Sequence, residues 1–140
     1  MNLCGKILIN DLQKLVEMKE EVRLYLERAK KFKKNAEFNF KNRDFDLAMF
    51  HIEMAMQLLI KAKLLHLKGS FERTHSLRRL LSELQDVEGV EKFLKDYKIV
   101  LRNLERAYIT SRYYFEEFFE EEVMEAFSAL EKLEEILWKE

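Results

Sequence analysis

The chain has 140 residues, of which 48% are hydrophobic and 36% charged, with three Gly and no Pro. So few turn residues exclude a strand-rich fold, and the length fits a single all-α domain over residues 1–140 with a modest core. The net charge of −1 hides a division: residues 116–140 hold ten Glu against two Lys, a net of −8, so residues 1–115 carry +7 and a polyanion is excluded from the tail.

A first helix is expected over about Leu8–Lys41, where Leu8, Leu12, Leu15, Val22, Leu26, Ala29, Phe32, Ala36 and Phe40 recur at three- and four-residue steps. Asn42 is placed to cap a second helix, about Asp44–Lys68, with Asp44 and Asp46 at its positive end and Gly69 to stop it. Phe45, Ala48, Met49, Ile52, Ala55, Met56 and Leu59 make one apolar face of that helix. Leu47, Phe50, Met54 and Leu58 make another, which leaves Asp46, Glu53, Gln57 and Lys61 as a narrow polar stripe. A helix so nearly apolar all round needs cover on several sides, and a symmetric dimer through Leu47, Phe50, Met54 and Leu58 is expected to supply it, ahead of the alternative that the first and fifth helices cover it within one chain.

The third helix is short, about His75–Leu84, with Thr74 as N-cap and Leu77, Leu80, Leu81 and Leu84 inward. The fourth, about Val90–Ile109, turns Val90, Phe93, Leu94, Tyr97, Leu101, Leu104 and Tyr108 inward, while Lys95, Lys98, Arg102 and Arg106 form a basic line on another face. The fifth, about Glu120–Trp138, buries Val123, Ala126, Phe127, Leu130, Leu133 and Leu137, and its opening Glu120, Glu121 and Glu122 suit a solvated helix start. The expected architecture is an up-and-down bundle of about five helices with Leu8, Leu15, Val22, Ile52, Leu59, Leu101, Leu104, Phe127 and Leu130 in its core.

A lone Cys4 can form no internal disulfide, no run of about 18 apolar residues suggests a membrane span, and Met1–Asn10 is too short for a secretory signal. A cytoplasmic protein without membrane partners is the expectation. Cys4 also lacks spaced partners for zinc, no Gly-rich phosphate loop is present, and the single Glu-x-x-His, Glu72 to His75, cannot supply the paired motifs of a di-iron bundle. No metal or cofactor is therefore expected.

Three segments carry a resemblance: RDFDLAMFHIEMAMQLLIKAKLL at 43–65, THSLRRLL at 74–81 and YITSRYY at 108–114. In that order and spacing they resemble the HEPN (higher eukaryotes and prokaryotes nucleotide-binding) domain family, of the prokaryotic stand-alone type. The resemblance implies a helical bundle, frequent homodimers, and association with minimal nucleotidyltransferase proteins, often as toxin–antitoxin pairs. Many members of the family are metal-independent ribonucleases with an Arg followed after four to six residues by a His. Here His occurs only at His51, His66 and His75, and no Arg stands five to seven positions before any of them. Arg43, with seven residues before His51, comes nearest. Arg112 matches the Arg of a family Arg-Tyr pair, but aromatic and acidic residues follow it and no histidine base does.

His51 reads as a hydrogen-bonded core or interface histidine, and His66 as a favourable cation near a helix end. His75 has cationic neighbours and a helix start beside it, but its reading as a structural first-turn residue stands ahead, with Arg78 and Arg79 solvated or paired and with Asp96 and Glu105 placed to neutralise cations near them. The site reading is an anion- or nucleotide-binding surface of His75, Arg78, Arg79, Lys95, Lys98, Arg102, Arg106 and Arg112, with no catalytic residue. The function that follows is a noncatalytic HEPN-like module that binds a minimal nucleotidyltransferase partner, nucleotide or RNA. A ribonuclease with a noncanonical site and a purely structural dimeric adaptor are the alternatives.

Overall fold

The computed structural model describes residues 3–113 and 116–139, with side-chain surroundings for 10–110 and 116–139. In chain order these hold α1 (Leu3–Lys41), α2 (Phe45–Lys68), α3 (Leu77–Ser82), α4 (Val90–Asp96), α5 (Lys98–Tyr113) and α6 (Glu120–Trp138). No strand occurs among the described residues.

The all-α bundle stands, with one more helix than the periodicity indicates. The expected fourth helix is α4 and α5, separated at Tyr97, whose φ of −112° and ψ of 21° leave helical geometry. The apolar spacing stays in step across the break because Tyr97 N–H still bonds the Phe93 carbonyl at 2.9 Å and Leu101 N–H bonds the Tyr97 carbonyl at 2.8 Å. A pattern that runs on in register cannot reveal a one-residue interruption.

α2 is the central element. It packs against α1, α3, α5 and α6, and Ala48, Met49, Ile52, Met56, Ile60 and Ala62 are wholly enclosed. Its start is set differently from the sequence expectation. Asn42 does not cap α2: its backbone N–H and its side-chain Nδ2 both donate to the Phe38 carbonyl and so close α1. Arg43 then takes a left-handed φ of 61°, and Asp44 occupies the N-cap position without a side-chain cap bond. The other end is as expected, because Gly69 at φ 78° donates its N–H to the Leu65 carbonyl at 3.0 Å in a left-handed C-cap.

The polar stripe of α2 is the larger correction. Glu53 is fully buried and Gln57 is 3% exposed, so two of the four stripe residues face inward and solvent reaches the apolar Leu47 instead. The α1 stripe also fails at its start: Leu12 is 62% and Leu15 52% exposed. α1 has 39 residues against 24 in α2, and Met18 already lies beside Gly69, so the first turns of α1 run past the end of their partner. Val22 and Phe127 are half-buried, and Leu8 lies outside the described side chains. Ile52, Leu59, Leu101, Leu104 and Leu130 are buried as expected.

α3 begins after Ser76, whose hydroxyl accepts the Arg79 N–H at 3.3 Å, so the N-cap is Ser76 and not Thr74. Thr74 supports that cap from outside by accepting the Ser76 N–H at 3.2 Å. α6 has the expected bounds, and the Phe119 N–H donates to Glu122 Oε1 at 2.9 Å across its first turn. Trp138 at its far end donates its indole N–H to the Leu59 carbonyl at 3.0 Å and so ties α6 to α2.

Candidate functional site

Around His75 the fold assembles a ladder of rings. His75, just before α3, stacks on Tyr108 of α5 with centroids 4.7 Å apart, and Tyr108 stacks on Phe50 of α2 at 6.0 Å. Phe50 meets His51 edge-on at 5.5 Å, and His51 stacks on Phe32 of α1 at 5.9 Å. The ladder thus crosses four parts of the bundle, and each rung adds ring–ring attraction to the burial of the body below.

The polar atoms of this ladder also meet a buried pair on α2. The Gln57 amide Nε2 donates to both Glu53 oxygens, at 2.8 and 2.7 Å. Gln57 turns Oε1 toward His75, whose Nδ1 is 3.4 Å away, and Tyr108 Oη lies 3.4 Å from His75 Nε2. Polar contacts thus run from Tyr108 through His75 and Gln57 to the buried Glu53. Further along α2, burial lowers the Lys61 ammonium pKa below the ordinary lysine range, and the Glu53 charge partly offsets that.

His51 occupies the bland role its position suggested. Its Nδ1 lies 2.6 Å from Asn39 Oδ1, and Asn39 is itself 8% exposed. Desolvation lowers the His51 pKa below the ordinary histidine value, and a hydrogen bond with the Leu47 backbone acts the other way. His66 is exposed near the end of α2, its ring 6.0 Å from Trp138.

The cations proposed for anion binding divide into two groups. Glu105 of α5 reaches the start of α3, where Oε1 accepts the Ser76 hydroxyl at 2.7 Å and Oε2 pairs with Arg78 Nε at 2.9 Å. The anion at that helix start is therefore the chain's own carboxylate, with its side chain 14% exposed. Arg79 grips Glu72 through Nη2 at 2.8 Å and Nε at 3.1 Å, and Arg106 pairs with Glu116 at 2.8 Å. Lys95, Lys98 and Arg102 are exposed and form no ion pair among the described residues. Lys95 sits on α4, and Lys98, Arg102 and Arg106 on α5, so the break at Tyr97 divides the basic line. Arg112 lies in α5, and its side chain falls outside the described set.

Leu47 of the proposed dimer face is 41% exposed, while Phe50, Met54 and Leu58 are half-buried. Sequence reasoning missed Asn39 and the inward turn of Glu53 and Gln57, and it placed Glu105 only as a neutraliser of nearby cations. A usable signal existed for the α2 pair: Glu53 and Gln57 stand four apart on an otherwise apolar helix, where a polar pair can satisfy itself inside. The partners of Glu105 were not legible, because Ser76 and Arg78 come from the start of a different helix.

The HEPN domain pattern matches residues 22–139, and the chain is a member of the HEPN domain family. Among solved structures, the crystal structure of TT1696 from Thermus thermophilus is similar in fold, with a TM-score of 0.68 and 22% identity over 83% of this chain and 94% of that one. No curated protein matches the chain.

Proposed function

We propose that this chain is a noncatalytic HEPN-like binding module. It associates with a minimal nucleotidyltransferase partner, or binds nucleotide or RNA, in the cytoplasm, and a toxin–antitoxin pair is the setting that suits such a module. The observation that carries the reading is the second apolar face of α2. Four neighbouring helices cover the rest of α2, yet Leu47 is 41% exposed and Phe50, Met54 and Leu58 are only partly buried. Apolar surface left open on the central helix suits a protein surface, either the nucleotidyltransferase or a second copy.

The noncatalytic part rests on spacing and on occupancy. No His follows an Arg at the ribonuclease distance, and Arg78 and Arg106, next to the ladder, are held by Glu105 and Glu116. The cations without an ion pair among the described residues, Lys95, Lys98 and Arg102, provide steering for a phosphate backbone without a base to cut it.

Purification of the tagged chain from its own cells, followed by mass spectrometry of bound protein and nucleotide, tests the proposal. A nucleotidyltransferase, a nucleotide or RNA should accompany the wild type. A Met54→Glu variant should lose the protein partner, since an unpaired charge in an apolar contact is costly. RNA cleavage by the isolated chain that disappears in His75→Ala would move it to the ribonuclease class.

A further inference from the structure

The positive charge of the body is concentrated on α1. Residues 23–43 hold eight Lys or Arg against two Glu, a net of +6, whereas residues 95–106, with the basic line of α4 and α5, come to +2. α1 packs chiefly on α2, so its opposite side is uncovered. On that side Leu24 is 50% and Phe38 66% exposed, two large apolar residues turned away from the core.

At about 100° per residue, Leu24, Lys31 and Phe38 fall within about 20° of one line, with Arg28 and Lys34 about 60° to either side and the buried Ala29 and Ala36 nearly opposite. At about 1.5 Å per residue, the two apolar anchors stand about 21 Å apart with Lys31 midway. Arg28, Lys31 and Lys34 are exposed and form no ion pair among the described residues. Glu27, the carboxylate on this face, is already held by Arg23, and Glu37 lies about 120° round the helix from Lys31.

From this face we infer that α1 docks on an anionic lipid surface, with Leu24 and Phe38 at the headgroup boundary and Arg28, Lys31 and Lys34 over lipid phosphates and carboxylates. A convex helix face offers no groove to track a nucleic-acid strand, and two apolar anchors with a lysine between them are too dispersed for the apolar core of a protein interface. A flat anionic surface meets all of these side chains at once, and clustered cations beside exposed apolar side chains are what such a surface attracts. The expectation of no membrane partner follows from the lack of a spanning run, and no helix among the described residues is long and apolar enough to cross a bilayer. A peripheral contact needs no such helix, because one face of α1 makes it. The inference goes beyond the binding-module reading, uses none of its α2 residues and does not depend on it.

Co-sedimentation of the full chain with vesicles tests this face, with circular dichroism to confirm that each variant keeps its helices. The wild type should bind vesicles of phosphatidylcholine mixed with phosphatidylserine, more weakly as salt is added, and should not bind pure phosphatidylcholine vesicles. Each cation near an anionic bilayer strengthens binding roughly fivefold, so Lys31→Glu with Lys34→Glu should lower the partition coefficient by roughly tenfold or more. Leu24→Ser with Phe38→Ser should lower it as well, and Met54→Glu on α2 should not. In a Cys4→Ser background, an environment-sensitive dye on Phe38→Cys should shift to the blue when the mixed vesicles are added, and the same dye on Leu47→Cys should not. A folded wild type that ignores the mixed vesicles overturns the inference, as does binding that survives Lys31→Glu with Lys34→Glu, or a blue shift at Leu47→Cys alone. Retention of labelled single-stranded RNA without vesicle binding, lost in Lys31→Glu with Lys34→Glu, would overturn it in favour of a nucleic-acid surface and leave the binding-module reading intact.

Discussion

Glu105 of α5 accepts the Ser76 hydroxyl at 2.7 Å and, with the same carboxylate, holds Arg78 Nε at 2.9 Å. One side chain thereby occupies the start of α3 and neutralises an arginine that would otherwise be open to a phosphate. Glu105→Ala is expected to destabilise the fold by about 1–3 kcal/mol, because the capping hydroxyl loses a charged acceptor in a mostly enclosed site. Chemical denaturation measures this. Glu105→Gln should cost less and, by releasing Arg78, should strengthen binding of a polyanion such as RNA.

Leu104 is fully enclosed on α5. Its replacement by Ala should cost about 2–5 kcal/mol, from lost transfer energy and the cavity left behind. Urea titration with an unchanged slope and a lowered midpoint is the expected signature. A change within error would mean that the α2–α5 contact is not packed as described.

Acid should weaken the fold through His51. Its pKa is held below the ordinary value of 6.5 by desolvation, so the unfolded chain binds the proton more readily than the folded one. Stability from this group is present above the unfolded pKa and is lost as pH falls from there through the lower folded value. Unfolding free energies at pH 7.5 and about pH 5 should differ more for the wild type than for His51→Gln, in the sense that the wild type loses more on acidification.

Binding of single-stranded RNA, where it occurs, should depend steeply on salt and on Lys98 and Arg102. Each phosphate contact contributes about 0.7 to the slope of log affinity against log salt. Charge reversal of both residues should lower the affinity and flatten that slope. Reversal of Arg79, which is already joined to Glu72, should change either quantity much less.

The helices were legible because their apolar spacing is strong and proline is absent. Gly69 marked its stop correctly, since few residues tolerate a φ of 78°. The misplaced features share a physical cause. Periodicity reports which residues share a face, and it does not report what lies opposite that face. Leu12 and Leu15 continue the α1 stripe beyond the last residue that could cover them. Glu53 and Gln57 read as a solvent stripe because polarity alone hides the fact that they satisfy each other. The site suffered more than the fold. The cations were found, but pairing of Arg78, Arg79 and Arg106 with Glu105, Glu72 and Glu116 depends on tertiary neighbours that spacing does not encode.

The proposed role, binding without cutting, is open to one direct test. The most direct measurement incubates purified wild type and His75→Ala with labelled RNA in the absence of added protein and resolves the RNA on a denaturing gel. Intact RNA with both proteins is the expected result. RNA shortened by the wild type and left whole by His75→Ala would contradict the account.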